Sequence, residues 1–180
     1  MMNDEILRIN GFEIVEDGFD QDKNKYYEGI FTQGNGYFHV RGSFEEGLAD
    51  APQNEVYTRT MKSVTTEQQR HPLSKQGTFL PLMMGKHPFL EEVIINLPYF
   101  MRIEIAAGNE KLDMIRSDIR DYRRVLNMKT GELTRSFTWI TASGEEIDVK
   151  FSRFASLDEK AIVCTAGRLE TKKRNALHYC

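Results

Sequence analysis

The residues able to do acid–base, nucleophilic or metal chemistry are few and badly spaced for it. Paired carboxylates occur at Glu45-Glu46 and at Glu91-Glu92. Neighbours on a strand point to opposite faces, so neither pair makes a dyad by itself, and a solvated or ion-paired role is expected for both. The histidines His39, His71, His87 and His178 lack the short spacings of a zinc site, and His71 and His87 each precede a proline. No serine sits in a GxSxG elbow. Cys164 falls in an apolar run, where burial would raise the thiol pKa and leave it inert. The chain is therefore expected to hold no catalytic residue, no metal and no cofactor.

The stretch GNGYFHVRG, from Gly34 to Gly42, is the best candidate for a ligand loop. A phosphate cradle needs converging backbone N–H groups followed at once by a helix. Here Tyr37, Phe38 and Val40 follow, which favour a strand, and the spacing misses both GxGxxG and GxxxxGK[ST]. A tight turn into a strand, with positive φ at an Asn or Gly, is the expectation. Gly34 and Gly36 would shape the backbone and Gly42 would leave room for close packing. Arg41 would pair with Glu45 or Glu46, or with protein outside this chain.

Strands must position these residues. In LTRSFTWITASGEEIDVKFSRF, Leu133, Phe137 and Trp139 alternate with Thr134, Ser136 and Thr138; Ile147, Val149 and Phe151 alternate on the way back. Period two with one apolar face predicts a hairpin, turned by Ala142 to Glu145. FMRIEIAAG alternates in the same way before a turn at Gly108 to Lys111, and FEIVE, YYEGIFT, EEVIINLP and KAIVCTAGRLE read as further strands. One segment breaks the pattern. Leu112, Ile115, Ile119, Tyr122 and Leu126 fall three and four apart, which predicts a helix, with Ser117 as a candidate cap. Strands at short spacing, without long helices between them, predict a mainly β fold: an antiparallel β-sandwich, incomplete, with at most one or two short helices.

The bulk properties exclude some functions. With 180 residues and a formal charge of −3, a single soluble domain is expected, and interspersed charges leave no footprint for nucleic acid. No stretch nears the roughly 18 apolar residues of a membrane span. Two cysteines without metal spacing predict a reduced, cytoplasmic protein. Tyr26, Tyr27, Phe31, Tyr37, Tyr99, Trp139 and Tyr179 could stack on a sugar, although most of seven aromatics in such a sandwich should be core.

The order of motifs carries more than any one of them. YYEGIFTQGNGYFHVRGSFEEG, INLPYFMRIEI, DIRDYRRVLNMKTGELTRSFTW and FSRFASL, spread from about Phe12 to Leu157, resemble the N-terminal part of glycoside hydrolase family 65. That family holds maltose, trehalose, kojibiose and nigerose phosphorylases and some α-glucosidic hydrolases. The resemblance marks Gly34, Asn35, Gly36, Arg41 and Gly42 as signature positions. It also implies strand, not helix, from about Tyr122 onward.

The resemblance further implies that residues 1–180 are a truncated N-terminal β-sandwich domain, with the catalytic (α/α)6 barrel lying elsewhere. The parent would release β-glucose 1-phosphate from an α-glucobiose, with inorganic phosphate as co-substrate and the disaccharide as partner only of the full-length enzyme. A hydrolase would need a second carboxylate to activate water; phosphate, already a nucleophile, needs only positioning. A free-standing carbohydrate-binding module and an inactive remnant are the alternatives. A homodimer is expected, because an unclosed sandwich leaves strand edges open. In the irregular stretch from Met61 to Phe89, His71, Lys75 and Lys86 are candidates for contacts near a substrate.

Overall fold

A computed structural model of the chain describes residues 6–47, 77–86 and 92–172. Among these residues the fold is mainly β with one helix, and the paired strands whose register is defined run antiparallel. These are the parts of an incomplete β-sandwich, as the sequence predicted. The chain divides into two compact units: residues 1–19, 104–153 and 165–180, and residues 20–103 with 154–164.

The first unit is built on the larger sheet. Its strands are β1 (Leu7–Asn10), β2 (Glu13–Asp17), β9 (Asp118–Asn127), β10 (Glu132–Ile140), β11 (Glu146–Ala155) and β12 (Val163–Thr171), in the order β1-β2-β9-β10-β11-β12. The predicted β10–β11 hairpin is present, with Phe137 opposite Val149 and Trp139 opposite Ile147. Gly144, at φ 78°, takes the left-handed turn position. Leu133, Phe137, Trp139, Ile147, Val149 and Phe151 are all buried. Trp139 alone removes on the order of 200 Å² from water, about 5 kcal/mol before entropy is counted. A small hairpin, β7 (Ala106–Ala107) with β8 (Glu110–Lys111), turns at Gly108 as expected.

The helix predicted over Leu112 to Leu126 is absent, and the strand that the resemblance implied from about Tyr122 onward is present; the chain runs through turns to Ser117 and then as strand β9 from Asp118. Ser117 caps no helix: its Oγ accepts from the Asp113 amide at 3.0 Å. The cause of the misleading spacing is a bulge. Asp121 sits at φ 53°, and the β9–β10 register shifts between Ser136 and Thr138. One extra residue puts Ile119 and Tyr122, three apart, on the same face, which imitates a helical step.

The second unit holds α1 (Gln21–Ile30) and the sheet β3 (Gln33–Gly34), β4 (His39–Val40), β5 (Thr78–Gly85) and β6 (Val93–Asn96). The strand predicted at YYEGIFT is instead the end of α1. Asp20 caps the helix, its side chain accepting from the Asp22 amide. The helix buries Asn24, Tyr27 and Glu28. The alternation in FMRIEI is real, with Met101 and Ile105 buried and Arg102 and Glu104 exposed, but residues 101–105 form no ladder. A period-two pattern reports two faces; a strand also needs a partner in register. Phe38, Val40 and Met101 form this unit's core cluster, with Leu80, Tyr99, Ala155 and Val163 against it.

Cys164 is exposed, against expectation, because β12 is the outer strand of the larger sheet. Of the seven aromatics considered for sugar stacking, Tyr27, Phe31 and Trp139 are buried while Tyr26 and Tyr37 are exposed. Tyr99 is half-buried, donating its hydroxyl to the Phe44 carbonyl at 2.8 Å, and Tyr179 lies outside the described residues.

Candidate functional site

The signature stretch folds as a turn into a strand. Gly34 pairs with His39 across β3 and β4, and Gly36 takes φ 83° in the loop between them. A side chain at Gly34 would collide with the His39 ring, so the glycine seats that bulky residue. At Gly42 an added Cβ would lie 2.6 Å from the Phe31 Cβ and 3.0 Å from its carbonyl oxygen, while the Gly42 amide donates to the Glu28 carbonyl at 2.8 Å. Close packing is therefore the role of Gly42. Arg41 reaches α1: its guanidinium donates to the Lys25 carbonyl at 2.9 Å and stands 4.0 Å from the buried Glu28 carboxylate.

Asn35 is the centre of this arrangement. Its Oδ1 accepts from the amides of Tyr37 at 3.0 Å and Phe38 at 3.2 Å. Its Nδ2 donates to the carbonyls of Ser156 at 2.6 Å and Lys160 at 2.9 Å. Ser156 lies in FSRFASL, so this one amide joins two of the four sequence stretches that carried the family resemblance. The loop it holds is also tied internally, the Ser156 amide donating to the Ile162 carbonyl and the Glu159 amide to the Ser156 hydroxyl, both at 3.0 Å. Lys86 is exposed beyond the end of β5. His71 and Lys75 lie outside the described residues.

A buried charged row went unpredicted. Glu16, Arg124, Arg135 and Phe151 lie side by side across β2, β9, β10 and β11, and Leu133 faces Arg153 in the next row. Glu16, Arg124, Arg135 and Arg153 are almost wholly inaccessible. Arg124 Nε donates to Glu16 Oε2 at 2.6 Å; Tyr122 donates to the same oxygen at 3.5 Å. The Arg135 guanidinium lies over the rings of Phe151, at 4.8 Å, and Phe137, at 5.2 Å. Burial pushes the Glu16 carboxyl above its ordinary value, against the opposing pull of Arg124. The signal was legible: Arg135 stands in phase with Leu133 and Phe137, and Arg153 in phase with Phe151, at positions where period two calls for apolar side chains.

This chemistry is structural. The Glu16 carboxylate is sealed in a sheet and engaged by an arginine, so it is not free to exchange protons with a substrate. Glu45 is buried and Glu46 half-buried. Among the described residues no three His, Cys, Asp or Glu side chains gather as a metal site, and no helix is long and apolar enough to cross a membrane.

The fold and these motifs define a mainly antiparallel β domain whose signature residues hold turns and loops in place. The sequence profile described as Glycosyl hydrolase family 65, N-terminal domain, matches residues 14–176, and the chain belongs to that family as its N-terminal domain. It is 29% identical over 156 residues to an alpha,alpha-trehalose phosphorylase of Thermoanaerobacter brockii, covering 86% of this chain and 19% of the relative. It is 28% identical over 162 residues to a maltose phosphorylase of Bacillus subtilis (strain 168), covering 90% and 20%. A solved structure titled putative kojibiose phosphorylase from human microbiome superposes with a TM-score of 0.71 at 23% identity, over 92% of this chain and 20% of that one, and supports the fold. The chain thus spans about a fifth of the length of the relatives it matches.

Proposed function

We propose that this chain is the structural N-terminal domain of an inverting α-glucobiose phosphorylase, serving as a scaffold for a catalytic region elsewhere in the parent enzyme. The profile match over residues 14–176 carries the reading, and the trehalose, maltose and kojibiose phosphorylases among its relatives support the phosphorolytic branch. In that reaction phosphate displaces the glucosyl oxygen with inversion, so the parent needs one general acid and a positioned phosphate and can dispense with a base for water. The general acid and the phosphate site belong to that catalytic region, and His71, Lys75 and Lys86 stand as the candidates for contacts near the substrate. The setting expected for the enzyme is the cytoplasm.

Two surfaces support a role in association. The hairpin of β5 and β6 exposes Met83 and Met84 on one strand and Ile94 and Ile95 on the other, so apolar side chains stand on both of its faces. Strand β12 is an edge of the larger sheet, with most of its side chains exposed. These features fit a scaffold that also contributes to a homodimer.

The test is activity of the full-length parent on trehalose, maltose, kojibiose and nigerose. Consumption that requires phosphate and yields β-glucose 1-phosphate is expected; equal release of glucose with and without phosphate would assign it to hydrolysis. Calorimetric binding of any of these sugars to the isolated 180-residue chain would favour a carbohydrate-binding module, a reading that the exposed Tyr26 and Tyr37 would serve.

A further inference from the structure

The sequence contains two Asn-Gly pairs, Asn10-Gly11 and Asn35-Gly36, and the fold treats them oppositely. At such a pair the glycine backbone nitrogen, unhindered by a Cβ, can attack the asparagine Cγ. The new C–N bond closes a succinimide, the Cγ–Nδ2 bond breaks, and ammonia leaves with the proton from the glycine nitrogen. Water then opens the ring to aspartate or isoaspartate. The step requires the side chain to turn its Cγ toward the next backbone nitrogen.

Asn10 is free to make that turn. It ends β1 opposite Glu13 in the β1–β2 hairpin, is exposed, and has no side-chain hydrogen bond among the described residues; Gly11, at φ 60°, is exposed beside it. Asn35 is held by four hydrogen bonds, two at Oδ1 and two at Nδ2, and all must break before its Cγ can swing round. We propose that Asn10 is a site of spontaneous deamidation in the folded protein. Asn35 is a latent one, converting only when the 34–39 turn and the 156–160 loop come apart.

The consequence at Asn35 is one-way. An aspartate keeps the oxygen that accepts from Tyr37 and Phe38 but has no N–H for the Ser156 and Lys160 carbonyls, and its charge repels both. A single opening followed by conversion therefore leaves a latch that cannot close again. The same chemistry at Asn10 changes only a solvent-facing turn.

The experiment incubates the 180-residue chain in mildly alkaline buffer, with and without urea, and follows conversion of the two asparagines by peptide mass spectrometry. Without urea, Asn35 is expected to convert about a hundredfold more slowly than Asn10, since breaking several hydrogen bonds each contributes several-fold. In urea the two rates should converge. Conversion of Asn35 within a few-fold of Asn10 in the absence of urea would overturn the shielding. A second measurement uses Asn35→Asp. Hydrogen exchange at the Glu159 and Ile162 amides should accelerate by about tenfold or more while Tyr37 and Phe38 stay protected. Unchanged exchange at Ile162 would remove the latch.

Discussion

Removing Arg124 is the sharpest test of the buried row, because the structure dictates both the size and the pH dependence of the effect. In Arg124→Met the Glu16 carboxylate, fully buried on β2, loses the 2.6 Å charge-assisted bond to Oε2 and keeps only the 3.5 Å contact from Tyr122; Oε1 has no hydrogen bond to begin with. Breaking one partner of a buried ion pair costs about 3–5 kcal/mol, and the methionine refills most of the lost volume, so the electrostatic part dominates. The sign with pH follows from Glu16, whose folded pKa already lies above 4.5 because burial outweighs Arg124. Below 4.5 folded and unfolded forms are both protonated and the group is neutral to stability. As pH rises above 4.5 the unfolded carboxyl ionises first, so stability is lost until pH passes the folded pKa. Without Arg124 that pKa rises further and the window widens, each tenfold gain in proton affinity costing about 1.4 kcal/mol of stability at high pH. Urea unfolding at pH 5 and pH 8 should show a loss several-fold larger at pH 8, with Glu16→Gln recovering part of it in the double variant. A loss below about 1 kcal/mol at pH 8, or one independent of pH, would refute the reasoning.

Gly42→Ala should lower the melting temperature by several degrees, since its Cβ would lie 2.6 Å from Phe31 and overpacking of this kind costs about 1–3 kcal/mol. Gly29→Ala, whose Cβ would meet only the Arg41 guanidinium at 3.6 Å and which lies within α1, is the control and should melt no lower than the parent chain. At the end of β12, Lys172 donates to the Thr138 hydroxyl at 3.3 Å and pairs with Asp148 at 3.0 Å. The Thr138 hydroxyl and then Lys172 hold the Asp148 carboxyl below 3.8. That tie is present above 3.8 and lost as pH falls through the lower folded value. Lys172→Ala should therefore speed amide exchange over the last residues of β12 at neutral pH, with little difference between variant and parent once Asp148 is protonated.

The amino-acid sequence by itself determined the β10–β11 hairpin, because Leu133, Phe137 and Trp139 on one arm and Ile147, Val149 and Phe151 on the other share one face only as strands, Arg135 being the single interruption. It also determined the turns at Gly36, Gly108 and Gly144, where the chain needs positive φ, and the family, which rests on the order of motifs and not on any contact. Tertiary structure decided the rest. YYEGIFT has a strand-like composition, yet Asp20 caps a helix there and partners elsewhere in the fold allow Asn24 and Glu28 to be buried, which local hydropathy cannot foresee. The spacing from Ile119 to Leu126 looked helical because a bulge at Asp121 adds one residue and because Arg124 fills an inward position that a polarity count assigns to solvent. Asn35 read as a turn residue; that its amide also spans to residues 156 and 160 follows from chain segments more than a hundred residues apart being brought together. Local pattern fixes the period of an element, whereas pairing partners and buried charges depend on what the rest of the chain places opposite.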